Sequence, residues 1–357
     1  MDIFVWLSDN RRMTQRSGSL TVVAAAVLWG TAGTVGALAP AGSISLAAAR
    51  LVIGGTVLAV VAMRAIGSAT GSATGSATGS ATRSVAGSPA GSPAGSAADA
   101  GPNPGPNPGR GARVTRAPKS LLAAGGLAVA AYQLCFFAAV ARTGVAIGTV
   151  VAIGSGPVFT GLLSWLLDRT RPSRRWAMAT VAAIAGCAVL ITGGGAGGAD
   201  AGGIALALLG GLLYAFYAVT AARAIGAGMG SDTVMGALFG AAGLIMLPVL
   251  VATGPGWLVE PRGLLTALYL GCATTALAYV LYGRGLRTTP VATAATLALA
   301  EPAVAAILGL VVLHEHLSAI SWGGLVLLAA SLVVVALPDR SPRDPASPVP
   351  ATLSSSA

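Results

Sequence analysis

The chain has 357 residues, of which 55% are hydrophobic and only 9% charged, with a mean hydropathy of +0.79. A soluble chain carries about 25% charged residues, so a globular core in water is excluded and most of this chain belongs in lipid. The formal net charge of +10 is no nucleic-acid signature, because the basic residues sit between apolar stretches with no aromatic-interleaved patch.

Residues 1–19 read as a cytoplasmic lead. Asp2 and Asp9 lie within it and its apolar stretch precedes Arg11, Arg12 and Arg16, an order that does not fit a cleaved signal. Met13 offers a second start. A helix needs about 20 apolar residues to cross the hydrocarbon. Ten stretches qualify, at roughly 20–38, 44–62, 120–140, 145–167, 175–192, 202–222, 233–252, 263–282, 290–313 and 319–337. The expected fold is therefore an all-α integral membrane bundle. Between the second and third spans, residues 63–119 hold four GSAT units, then GSPA, GSAA and GPNP units. That composition has too little apolar surface to offset ordering entropy, so a disordered cytoplasmic linker is expected, a tolerated insertion. The Pro/Ser-rich tail, 338–357, is expected to be disordered as well.

An internal repeat organises the spans. RTGVAIGTVVAIGSGP (142–157) and RTTPVATAATLALAEP (287–302) lie 145 residues apart, and each runs on towards a tryptophan, Trp176 or Trp322. The first half then comprises 20–62 and 120–192, and the second 202–337. Each half has an odd number of spans, so the two must enter the membrane from opposite sides, as inverted repeats do. Lys and Arg loop bias sets the orientation. With a cytoplasmic N-terminus, eighteen basic residues fall on the inner side and two, Arg142 and Arg262, outside. Both termini are thus expected in the cytoplasm of a cell whose inner membrane the chain spans.

Only two charges fall within the spans, Arg50 and Glu301. An ionisable group at membrane depth costs about 2.5–3.5 kcal/mol by insertion scales and marks a functional site by default. Glu301 lies near the midplane of span nine and precedes Pro302, which removes a backbone donor and should kink the helix. Glu301 is the expected coupling residue, a carboxylate able to meet a proton, a cation or a substrate amine. Pro157 is the matching kink in span four, without the acid. Arg50 either snorkels outward, clamps a substrate carboxylate or partners an acidic group. Trp29, Tyr132, Tyr214, Tyr217, Tyr279 and Tyr282, with polar Gln133, Ser155 and Thr296, are the remaining expected substrate contacts, because buried Tyr and Trp need partners for their polar ends. Spans one, three, four, six, eight and nine should line the cavity, with five and ten peripheral.

Cys135, Cys187 and Cys272 sit in apolar runs without metal-ligand spacing. His314-Glu315-His316 lacks the HExxH spacing, so no metal or cofactor is expected. An enzyme would need a nucleophile with its base, or metal ligands, at lipid depth, and the spans hold neither.

The stretches AAVLWGTAGT (25–34), LAAARLVIGG (46–55), 143–169 and TTPVATAATLALAEPAVAAILGLVVLHEHLS (288–318) together resemble the drug/metabolite transporter superfamily, in its EamA-like ten-helix branch. Asp168-Arg169 stands where that branch typically carries Glu-Arg. The resemblance implies a secondary transporter of small organic metabolites, such as amino acids, carboxylates or amines, often exported by alternating access. Its partners would be the solute and the bilayer, with protons and a homodimer left open. A non-transporting membrane sensor or scaffold is the alternative. A reporter fused after Asp339 is expected to be active only in a cytoplasmic format, and periplasmic activity there would overturn the topology.

Overall fold

The computed structural model describes residues 2–37, 39–81, 119–169, 172–193, 200–312, 314 and 316–337, with backbone alone for 2–16, 37, 69–81, 145 and 146. Ten helices are long and apolar enough to span a membrane: α1 (Ser17–Gly36), α2 (Ser43–Ser68), α3 (Lys119–Gly144), α4 (Ile147–Asp168), α5 (Arg174–Thr192), α6 (Ala201–Gly226), α7 (Ser231–Ala252), α8 (Pro261–Gly285), α9 (Val291–Val312) and α10 (Ala319–Ala336). No strand occurs among the described residues.

Two helices overrun their expected ends. The helix that contains α1 begins at Asp2, inside the expected lead, and the α2 helix continues to Ala81, through the first GSAT units. The first proline after Pro40 is Pro89, so nothing in those units removes a backbone donor. The rest of the expected linker, 82–118, and the C-terminal tail lie outside the described residues.

Three interruptions shape the spans. Gly144 separates α3 from α4 with φ 80 and ψ 163, a backbone open to glycine and costly to a residue with Cβ. In α8, Tyr269–Leu277 winds as a π-helix, and the Thr275 hydroxyl donates to the Leu270 carbonyl five residues back at 2.9 Å. In α9, the helix divides into Val291–Leu297 and Ala300–Val312. The division falls where Pro302 has no N–H to offer the Ala298 carbonyl, which instead accepts from Glu301 N at 3.0 Å.

Lipid gives no hydrophobic drive to helix association, so contact depends on close packing and small residues. Glycines supply it here. In the α2–α7 pair, Gly236 lies against Leu58 and Ala62, whereas Gly243 lies against Leu51 and Val52. Ascending one helix descends the other, so the two run antiparallel. The α5–α10 pair repeats this: Gly186 meets Leu328 and Gly324 meets Leu190. Elsewhere α1 packs on α8 and α9, and α6 packs on α3 and α4. Exchanging the halves maps this set of pairs onto itself, which fits a duplicated bundle.

A Cβ at Gly186 would stand 2.6 Å from the backbone N of Leu328, whereas one at Gly323 would meet nothing within 4 Å. Gly186→Ala is therefore expected to lower the thermal unfolding midpoint in detergent, at a cost of about 1–3 kcal/mol from overpacking. Gly323→Ala on the facing helix should leave it unchanged or raised.

Candidate functional site

The spans enclose a central chamber of about 90 Å³. Its polar and aromatic wall comes from Trp29 of α1, Arg50 of α2, Tyr132 and Gln133 of α3, Tyr214 of α6, Tyr279 of α8 and Glu301 of α9. Apolar wall is added by Phe136, Phe137, Ile153, Ala295 and Ala298. The break in α9 sits at this level, so Glu301 enters the chamber from the first turn of the second α9 segment.

Three donors on this wall are buried without a partner: Trp29 Nε1, Arg50 Nε and Gln133 Nε2. A buried donor left unmade costs about 1–3 kcal/mol, so their grouping at one cavity calls for an acceptor. All three belong to the first half. Across the chamber, the second half offers Glu301, an acceptor. Among the described residues, ion pairs join Asp168 to Arg223 and Asp232 to Arg284, each at 3.5 Å. Arg50 and Glu301 therefore face one chamber without closing on each other.

Aromatic packing holds the wall rigid. Trp29 lies 5.0 Å from Tyr279 and 5.4 Å from Tyr282 between ring centroids. Tyr132 meets Tyr214 edge-on at 6.1 Å, and Tyr214 meets Tyr217 at 5.2 Å. Hydroxyl pairs Tyr214–Tyr282 and Tyr217–Tyr279, both at 3.5 Å, tie α6 to α8.

The sequence-expected contacts thus divide. Trp29, Arg50, Tyr132, Gln133, Tyr214, Tyr279 and Glu301 come together in the chamber. Tyr217 and Tyr282 are fully buried behind it. Ser155 faces Gly211 at the α4–α6 contact and donates to the Ala152 carbonyl at 3.2 Å. Thr296 pairs its hydroxyl with Thr180 of α5 at 3.0 Å. Pro157 is buried in a span that stays helical on both sides of it, while Pro302 lies at the α9 break. Ile153, Ala295 and Ala298 were not legible beforehand, because a small apolar wall residue looks like any lipid-span residue. Thr180 carried no signal either.

From the chamber a wider cavity of about 700 Å³ leads towards the α1–α2 turn and the start of α10. It shares Trp29, Arg50, Phe136, Phe137, Ile153 and Glu301 with the chamber and is bordered by Pro302, Leu190 and His316. The ends of α5 and α10, the two helices expected to be peripheral, thus border this passage. A separate cavity of about 700 Å³ lies at the opposite end, among Ser164, Asp168, Trp176, Arg223 and Thr289. It has no lining residue in common with the chamber. The site is therefore open towards one end of the bundle and closed towards the other.

The model of the EamA-like transporter family matches residues 16–192 and 201–337. The chain is 32% identical over 324 residues to an uncharacterized transporter, YwfM, of Bacillus subtilis (strain 168), covering 90% of this chain and 94% of the relative. It is 28% identical over 212 residues to an uncharacterized inner membrane transporter, YicL, of Salmonella typhimurium, covering 58% and 69%. It is 31% identical over 206 residues to the protein PecM of Dickeya dadantii, covering 57% and 68%. A solved crystal structure shares the fold with a TM-score of 0.65 at 20% identity, over 89% of this chain and 96% of that one. With the family model matching both halves, this chain is a multi-pass membrane protein that belongs to the EamA-like transporter family.

Proposed function

We propose that the protein is a secondary carrier that exports small organic solutes bearing a carboxylate, by alternating access around the central chamber. The observation that carries this reading is the three buried, unpartnered donors Trp29 Nε1, Arg50 Nε and Gln133 Nε2 facing the Glu301 carboxylate across one chamber. Arg presents a planar fork suited to a carboxylate, and burial in a low-dielectric wall strengthens such a contact. Glu301 receives the opposite charge, either the solute's amine or a coupling proton. An amino acid satisfies both walls at once.

Alternating access needs a site reachable from one side at a time. One passage from the chamber and one separate cavity at the other end support that reading. The antiparallel pairs α2–α7 and α5–α10 support two inverted five-helix repeats. The arginine bias supports both termini in the cytoplasm of a cell with the chain in its inner membrane. On that orientation the open passage faces outward, and the form described is the outward-facing one.

The test is flux of labelled amino acids, carboxylates and amines in proteoliposomes, with and without an imposed pH gradient. Arg50→Gln is expected to raise the half-saturating concentration at least about ten-fold, equivalent to about 1.4 kcal/mol of binding. Glu301→Gln keeps the shape and removes titration, so it should abolish accumulation driven by the pH gradient while the chain still folds. If Glu301→Gln accumulates solute with unchanged pH dependence, Glu301 is a packing group and coupling lies elsewhere.

A further inference from the structure

The cavity at the end away from the open passage holds a second set of buried donors. Ser164 of α4 and Thr289 of the α8–α9 turn are only 8% and 4% exposed. Their hydroxyls, together with Trp176 Nε1 of α5, have no hydrogen-bond partner. All three residues line the same cavity of about 700 Å³. Gly161 makes the indole's place, since a Cβ there would collide with the Trp176 ring. Gly18 does the same for Thr289, whose hydroxyl would meet a Cβ at 2.7 Å. Glycines from two helices thus seat two of the three donors.

A plain solvent mouth leaves its polar groups hydrated, but these three are covered and unpaired. The donors also come from both halves, two from the first and one from the second. Their surroundings are basic. Arg174 and Arg175 open α5, Arg223 closes α6, and Arg284 and Arg287 close α8 or follow it. Among the residues whose side chains are described, the acidic groups facing this end are Asp168, paired with Arg223 at 3.5 Å, and Asp232, paired with Arg284 at 3.5 Å. The balance is positive, and clefts of one sign concentrate the opposite ion. On α9 this cavity reaches Thr293, and the central chamber begins at Ala295.

We propose that this cavity is a second binding site, in which Ser164, Trp176 and Thr289 hold the carboxylate of a solute before it enters the chamber. It rests on the carrier reading above and adds an access site at the basic end. The donors are neutral, so this site reads acceptor geometry, with the arginines supplying attraction from the rim. The Arg50–Glu301 chamber reads charge at both ends of the solute. The two sites in series therefore select differently: the access site admits carboxylates in general, and the chamber retains those that also satisfy Glu301.

The test uses the full-length purified chain with its three native cysteines replaced by alanine and Thr293→Cys as the reporter. Ala292→Cys on the same wall serves if the first variant does not fold. The reporter is reacted with the anionic sulfonatoethyl and the cationic trimethylammonioethyl methanethiosulfonate, each rate divided by that of a free small thiol. The anionic reagent is expected to be favoured by about five-fold. Benzoate is expected to slow labelling roughly three-fold at a concentration twice its dissociation constant, while benzylamine leaves it unchanged. Ser164→Ala with Thr289→Val should abolish the benzoate protection. The proposal is overturned if benzoate gives no protection, if benzylamine protects equally, or if protection survives the double variant, which would make it a rim effect of the arginines alone. Solute flux in proteoliposomes is scored separately. Protection that needs the donors, in a chain that carries no tested solute, upholds the site and counts against the carrier reading. Flux without protection removes the site and leaves the carrier.

Discussion

Close approach of backbones at glycine is the contact on which the rest of the bundle depends. In hydrocarbon the apolar side chains gain nothing by leaving lipid for one another, so a helix pair must be held by packing at short range. Gly55, Gly236 and Gly243 bring α2 and α7 together, and Gly186 and Gly324 do the same for α5 and α10. Gly54 and Gly271 bring α2 onto α8. Each contact joins the first half to the second, and Arg50 rides on one of the helices so held. Its guanidinium reaches the chamber because α2 is drawn inward between α7 and α8, instead of standing at the periphery with its arginine directed to the headgroups.

Rigid walls and a breakable helix then divide the labour. Across the helices the Trp29 ring lies tilted on Tyr279 and Tyr132 meets Tyr214 edge to face, while Tyr214 meets Tyr217 edge to face within α6, and these contacts lock each other's orientation. Two hydroxyl pairs add directional ties between α6 and α8. By contrast α9, which carries Glu301, tightens at its break, where Leu299 N donates to the Thr296 carbonyl and Glu301 N to the Ala298 carbonyl, three residues back instead of four. Its first segment, Val291–Leu297, is joined to α5 by the Thr180–Thr296 pair, and its second packs on α1. The carboxylate is thus mounted where the two segments meet, beside carbonyls that the proline leaves without their usual donor.

The polar inventory of the interior is small and unevenly distributed. Several buried threonine and serine hydroxyls are satisfied locally, by carbonyls four or five residues back, as in Thr143, Thr160, Thr274, Thr275 and Ser331. The unpartnered donors are concentrated at two cavities, one central and one at the basic end. Buried polar groups are normally paired, so a concentration of exceptions at cavities is informative where the same exceptions scattered through the bundle would not be.

Length, composition and hydropathy alone determined that this chain lies in lipid, and runs of apolar residues determined ten spans, because a membrane imposes a fixed length on any helix that crosses it. The rarity of charge in those spans was enough to single out Arg50 and Glu301, since each is costly enough to be kept only for a reason. What the sequence left open was which polar and aromatic side chains meet. Tyr217 and Tyr282 look like Tyr214 and Tyr279 in composition and spacing, yet the first two stand behind the wall and the others line the chamber. Ser155 and Thr296 each found a partner inside the bundle, and Thr180, unremarkable in sequence, proved to be one of them. Helix rotation decides these outcomes. With hydropathy high on every face, no polar stripe reports which way a lipid-span helix turns, and only the glycine contacts between the two halves fix it.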